Sequence, residues 1–367
     1  MFWPDQRLKT LFGIDHPILQ APMAGIATPA LAAAVSGAGG LGALGCGETS
    51  EAEVRAQVAG VRAATGRAFN LNFFVYPVPA TPPETLARTR ERLQPWYDRL
   101  GLGPVPQLLA PRPAGFGADK LRLLLDLRPK VASFHFGTPG PQAVRALQDA
   151  GIRVIGSATS VAEARLLAAA GFDAVIAQGY EAGGHRGSHQ PMASGDGVGT
   201  LALVPQVVDA VRLPVIAAGG IGDGRGIAAA FALGAAGVQM GTAFLLCPEA
   251  ATPEVQRAAL RQARDTDTMV SNAFSGRAAR TRRSPYALDM ARGDEPLPDF
   301  PTLYDLSGSL IDSGAEDVAF DLWGQAASLS RARPAAEVVA GLVRDTQAVL
   351  SRLAGVAAGG AAGGAAG

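Results

Sequence analysis

Cysteine is nearly absent: Cys46 and Cys247 are the only two in 367 residues. That excludes a disulfide framework and leads us to expect a reducing, cytoplasmic setting. Net charge is absent as well, because 32 basic residues balance 32 acidic ones. Neither nucleic acid nor an anionic membrane surface is therefore expected as a partner. The opening MFWPDQRLKT holds no apolar core of the kind a secretory leader uses. No GxxxxGKS/T loop occurs, which weakens any nucleoside-triphosphate reading, and no separate Rossmann dinucleotide unit is visible. Charge is also missing locally, from Ile227 to Cys247, a stretch long enough to span a bilayer. It carries Gln239 and Thr242, however, and divides into a helix-like GIAAAFALGA and a strand-like AGVQMGTAF. It reads as a buried helix, loop and strand.

What is present is a rhythm. Short apolar runs lie at 17–23, 41–45, 68–74, 131–137, 153–159, 173–179, 213–220 and 236–242. They are continuous rather than alternating, as parallel strands covered on both faces are. Ala/Leu-rich helical patterns such as SVAEARLLAAAG and GRGIAAAFALGA separate them. Eight such units predict a TIM (β/α)8 barrel over residues 1–250, with a doubly wound open sheet as the alternative. Residues 76–117 hold nine prolines and read as an extended insertion after the third strand. Residues 251–333 read as a mostly helical lid or substrate subdomain, 334–353 as a closing amphipathic helix, and 354–367 as a disordered low-complexity tail.

Barrels of this kind gather their active sites on the loops after the strand C-termini. This reading brings Met23, Cys46, Asn70, His135, Ser157, Gln178, His185, Gly219, Gly220, Gln239, Gly241 and Thr242 to one mouth. The run AAGGIGDGRG after the seventh strand opens a helix, and QMGT closes the eighth. Glycines there let backbone N–H groups approach an anion, with a helix dipole in support, so a phosphate site is expected. The stretch AQGYEAGGHRGSH places two of four histidines, His185 and His189, on a glycine-rich loop past the sixth strand. A histidine near neutral pKa suits acid–base work, and His185 is the nearer to the mouth. No carboxylate or cysteine completes a metal shell with the pair. Strand alternation points His135 away from both Phe134 and Phe136, which leaves it facing either the mouth or the core. Asn70 and Asn72 share one strand face, and their amides could bind a ring carbonyl or nitrogen, or bridge strands.

Taken in order, QAPMAG (20–25), FNLNFF (69–74), SFHFG (133–137), AQGYEAGGHRG (177–187), AAGGIGDG (217–224) and QMGTAF (239–244) resemble the nitronate monooxygenases, once called 2-nitropropane dioxygenases. The resemblance implies a TIM barrel holding FMN non-covalently. It implies that Pro22, Met23 and Ala24 lie against the flavin ring and that Asn70 and Gln178 hydrogen-bond it. Gly183, Gly220, Gln239, Met240, Gly241 and Thr242 would cradle the phosphate end. His185 matches the catalytic histidine, and His135 and Tyr304 fall on the substrate side. The implied reaction takes a small nitronate or nitroalkane and O2 to a carbonyl compound and nitrite, in a monomer or homodimer. The family pattern of two tyrosines and a lysine beyond the barrel is only partly kept: Phe300, Tyr304 and Gly308 stand there. The same barrel also serves NAD(P)H-dependent flavin reductases of the enoyl-thioester or quinone type, which form the rival reading.

Overall fold

The computed structural model describes residues 3–77, 80–107, 109, 115–190, 197–293 and 295–362. Eight parallel strands occupy the eight apolar runs: β1 (Ile18–Gln20), β2 (Gly42–Gly45), β3 (Phe69–Phe74), β4 (Val131–His135), β5 (Arg153–Ala158), β6 (Ala174–Gln178), β8 (Val215–Ala218) and β9 (Gly237–Met240). They are ordered β1-β9-β8-β6-β5-β4-β3-β2. Between β1 and β2 the ring is closed by Leu41, which accepts from Gln20 N at 2.9 Å and donates to Ile18 O at 3.0 Å. The result is a TIM barrel, not an open sheet. The uncharged stretch at 227–247 is the helix Gly224–Ala232, the strand β9 and a short 3₁₀ turn. No helix among the described residues is long and apolar enough to cross a membrane.

Paired residues on parallel strands point the same way, so the register sorts the lumen from the outer face. Asn70 pairs with Val131, Asn72 with Ser133, Phe74 with His135, Ser157 with Ile176, and Gln178 with Ala218. The bottom of the lumen is apolar, built from Leu19, Val131, Ile155, Ile176 and Ile216, and is plugged by Leu8 and Phe12 of the helix Arg7–Phe12. Toward the strand C-termini the same face turns polar. Outward residues such as Leu71, Phe134, Val175 and Val238 pack beneath the helices.

Two parts depart from the sequence reading. The insertion is not wholly extended, because it contains the helix Pro83–Arg99. Pro83 stands in its first turn, where a missing N–H costs nothing, and Pro95 lies inside it, so its prolines mimicked a loop. The segment after the barrel holds helices Glu254–Arg261, Pro285–Met290 and Thr302–Asp312, but also two strands, β10 (Thr268–Ser271) and β11 (Ala279–Arg282). These form an antiparallel sheet with β7 (Gly184–His185). Insertion and post-barrel segment share a core in which Leu93, Trp96 and Tyr97 meet Phe274, Tyr286 and Leu306. The closing helix runs Ala335–Ala362, past the point where a disordered tail was expected, and residues 363–367 of that tail lie outside the described residues.

Candidate functional site

His185 is not on a loose loop. It pairs with Ala279 and Gly184 with Arg280, so the histidine belongs to an edge strand of the small sheet, swung over the barrel mouth. Its carbonyl accepts two hydrogen bonds, from Gln178 Nε2 at 3.0 Å and from His135 Nε2 at 3.1 Å. Gln178 Oε1 in turn accepts from Gly187 N at 2.7 Å. The ends of β4 and β6 thus clamp the backbone on both sides of the imidazole. Three buried guanidiniums hold the same stretch by its carbonyls. Arg186 donates to Gly179 O (2.5 Å), Arg277 to Ser188 O (2.7 Å) and Arg280 to Tyr180 O (2.7 Å). Among the described residues none of the three has a carboxylate oxygen within salt-bridge distance. His189 is a further anchor, with its ring 3.0 Å from Ser157 O and its N–H donating to Glu163 Oε1 at 2.8 Å.

A carbonyl partner fixes the tautomer of His135. His185 O is a carbonyl and can only accept, so His135 carries its hydrogen on Nε2, and its Nδ1 accepts from Ser157 Oγ at 2.9 Å. Both nitrogens of His135 are therefore occupied, and the residue supports His185 rather than offering a free nitrogen to substrate. His185 Nε2 lies 2.9 Å from Ser275 Oγ, which also lies 3.2 Å from Arg277 O and 3.4 Å from Arg277 N. All three contacts are satisfied when His185 Nε2 is the donor, which leaves Nδ1 with a free lone pair. Burial, followed by the nearby His135 and the Arg277 charge, lowers the His185 pKa from 6.5 to about 3. Burial is likewise the largest cause at His135, which falls to about 4. Both rings are neutral at physiological pH.

Aromatic rings surround His185. Their centroids lie 5.7 Å (Phe136), 5.8 Å (Phe300), 6.1 Å (Phe74) and 6.2 Å (Phe320) from its own. Phe134 packs outward against Phe116, as alternation requires, but Phe136 does not follow it. Its φ of 75° is left-handed, the alternation breaks after His135, and the two rings come to lie 4.8 Å apart. A bulky residue there is strained. The Arg277 guanidinium, 4.0 Å above the Phe136 ring, covers it. Tyr304 reaches this cluster through Phe300, at 6.2 Å.

The expected cofactor side of the mouth is also brought together. Ala21 N donates to Met240 O at 2.8 Å, which sets the Pro22, Met23, Ala24 turn against the end of β9. A Cβ placed on Gly241 would stand 3.3 Å from Ala21 Cβ and 3.7 Å from Met23 Sδ. In the lumen, Asn70 Nδ2 donates to Ser133 Oγ at 2.9 Å, while Asn70 Oδ1 and Gln239 Oε1 are buried with no partner. Buried acceptors of that kind call for a donor. Gly220 adopts a φ of 69° at the end of β8. Three expectations change. The helix Gly224–Ala232 does not offer its first amides to an anion, because the Asp223 carboxylate accepts from Arg225 N and Gly226 N. Gly183 is required by packing instead, since a Cβ there would meet Gly324 N and Trp323 C, each at 2.4 Å. Thr242 Oγ1 is taken by Gly324 N at 2.9 Å.

Sequence reasoning missed Ser275, Arg277, Phe74 and Ser133. Phe74 and Ser133 sat inside quoted motifs and follow from the inward parity of Asn70 and His135. Nothing in SNAFSGRAAR marks Ser275 or Arg277 until β10 and β11 are seen to pair.

A closed eight-stranded barrel with a neutral, clamped histidine and a polar lumen at its C-terminal mouth defines a (β/α)8 enzyme. The chain belongs to the nitronate monooxygenase family, whose model, described as "Nitronate monooxygenase", matches residues 5–345, and it is an oxidoreductase. A nitronate monooxygenase from Pseudomonas aeruginosa is 45% identical over 346 residues, covering 92% of this chain and 98% of the relative. One from Paraburkholderia phytofirmans is 43% identical, covering 94% and 96%. Among solved structures, a nitroalkane oxidase from Streptomyces ansochromogenes superposes with a TM-score of 0.86 at 36% identity, over 95% of this chain and 99% of that one. FabK from Thermotoga maritima gives 0.75 at 31% identity, over 95% and 98%.

Proposed function

We propose that this chain holds FMN at the barrel mouth and oxidises alkyl nitronates with O2 to a carbonyl compound and nitrite. The observation that carries the reading is His185, neutral and with its backbone clamped at the mouth of a lumen that holds two buried acceptors without donors, Asn70 Oδ1 and Gln239 Oε1. Those acceptors and the glycines at the ends of β8 and β9 fit a flavin. Asn70 and Gln239 would meet its ring edge, the Pro22–Ala24 turn its face, and Gly220 with Gly241 its phosphate arm. Gln178 contributes indirectly, because its amide is already spent on His185 and Gly187. FMN, when bound, supplies the electron acceptor between substrate and O2.

The protein's own part is positioning. His185 Nδ1 is a hydrogen-bond acceptor and a very weak base. With its lone pair free it can take the carbon proton of a neutral nitroalkane, at a cost set by the burial that holds its pKa below 6.5. That lone pair offers nothing to the oxygens of a nitronate anion, so the charge of an anion must be met elsewhere. The phenylalanines exclude water around the imidazole, and the Arg277 cation beside Phe136 offsets the anion's charge. Replacing His185 by Asn tests the assignment. kcat/KM with neutral nitroethane should fall by about a hundredfold or more while flavin content stays. Unchanged turnover would remove His185 from the mechanism.

A further inference from the structure

Just before the closing helix the chain crosses the barrel mouth as a strap. Its entry is pinned where Asp321 O accepts from Arg282 N at 2.8 Å and from Thr281 Oγ1 at 3.0 Å. Its exit is pinned where Ala335 N donates to the Glu249 carboxylate at 3.0 Å. Between those points it touches three of the loops at the strand C-termini. After β6, Gln325 N donates to Glu181 O at 3.0 Å. After β8, a Cβ on Gly222 would stand 3.2 Å from Ala326 Cβ and 2.8 Å from Leu329 Cβ. After β9, Gly324 N donates to Thr242 Oγ1 at 2.9 Å and Ser330 Oγ to Thr242 O at 3.1 Å. The loops after β8 and β9 are those assigned above to the flavin's phosphate arm, through Gly220 and Gly241. No water layer separates the strap from the β6 loop, because a Cβ on Gly183 would stand 2.4 Å from Gly324 N.

The strap is lightly held. Apart from one 3₁₀ turn, Ala327–Leu329, it has neither helix nor strand. Trp323 is its anchor, buried among Leu245, Leu246 and Leu260, whereas Gln325 and Ser328 are exposed. A segment with so few backbone bonds to its support opens at lower cost than the strands beneath it. We propose that Gly324–Ser330 is a latch over the phosphate end of the flavin, and that FMN enters and leaves only when this strap lifts from Glu181, Gly222 and Thr242. This rests on the flavin reading above. Trp323 stays in its apolar seat and serves as the pivot.

The test is the rate of FMN release, read from the rise in flavin fluorescence after the loaded protein is diluted. Gly222→Cys with Ala326→Cys sets two Cβ atoms 3.2 Å apart, near the ~3.8 Å of a disulfide. The native Cys46 and Cys247 are buried and do not compete. Oxidation of the new pair should slow FMN release at least tenfold, and a reductant should restore it. Ser330→Ala removes one of the three hydrogen bonds. It should speed release about two- to tenfold and leave kcat/KM of the loaded enzyme unchanged. Equal release before and after oxidation, with the bridge confirmed by a thiol count, overturns the latch and leaves the flavin reading standing. Release from Ser330→Ala at the parent rate does the same. A pair that refuses to oxidise overturns the contact on which the latch rests. Protein that binds no added FMN overturns the flavin reading and the latch with it.

Discussion

Lowering the pH should leave His135 and His185 uncharged while it erodes the fold. Both pKa values are shifted down from 6.5, to about 4 and about 3, chiefly by burial. Between those values and 6.5 the unfolded chain binds protons that the folded chain refuses, so stability is lost as pH falls through that window. Each histidine contributes up to about 1.4 kcal/mol per pH unit. Integrated from pH 7 to pH 5 this is about 2 kcal/mol each, about 4 for the pair as an upper bound. The direct assay is ring 15N NMR on histidine-labelled protein, which has only four histidines to assign. The rings of His135 and His185 should stay neutral from pH 8 to pH 5, both in the Nε2–H form. Urea unfolding at the two pH values should show the loss of stability. A ring midpoint near 6.5 for either residue, or an Nδ1–H tautomer at His185, would refute the reasoning from burial and from the Ser275 and His185 carbonyl contacts.

Two further outcomes follow from the same geometry. Ser275→Ala leaves His185 Nε2 buried without its 2.9 Å partner and should lower kcat/KM about tenfold, with Ser275→Thr recovering most of it. Gly183→Ala forces a Cβ against the backbone of Trp323 and Gly324 at 2.4 Å and should cost about 1–3 kcal/mol in a denaturant melt; an unchanged midpoint would refute that packing.

The barrel was legible because parallel strands buried on both faces leave uninterrupted apolar runs, and helices with a covered stripe separate them. Alternation placed Asn70 and Asn72 on one strand face and His135 opposite Phe134, and the pairing of Asn70 with Val131, Asn72 with Ser133 and Phe74 with His135 agrees. What could not be read are the pieces whose chemistry disguises them. β7 is two residues, Gly184 and His185, inside a run that looks like a loop. β11 is Ala-Arg-Thr-Arg, and its buried Arg280 resembles a surface residue until Tyr180 O is seen to receive it. The left-handed Phe136 has no glycine to announce it. Asp223 reads as part of an anion loop, although its carboxylate caps the helix itself.

The most direct measurement is anaerobic mixing of the purified, flavin-loaded protein with ethylnitronate, and separately with NADH and NADPH, while the flavin absorbance is followed. The account predicts rapid reduction by the nitronate and none by either nucleotide, with nitrite appearing once O2 is admitted. Rapid reduction by NADH or NADPH with no response to nitronate would contradict it and favour a reductase on the same barrel.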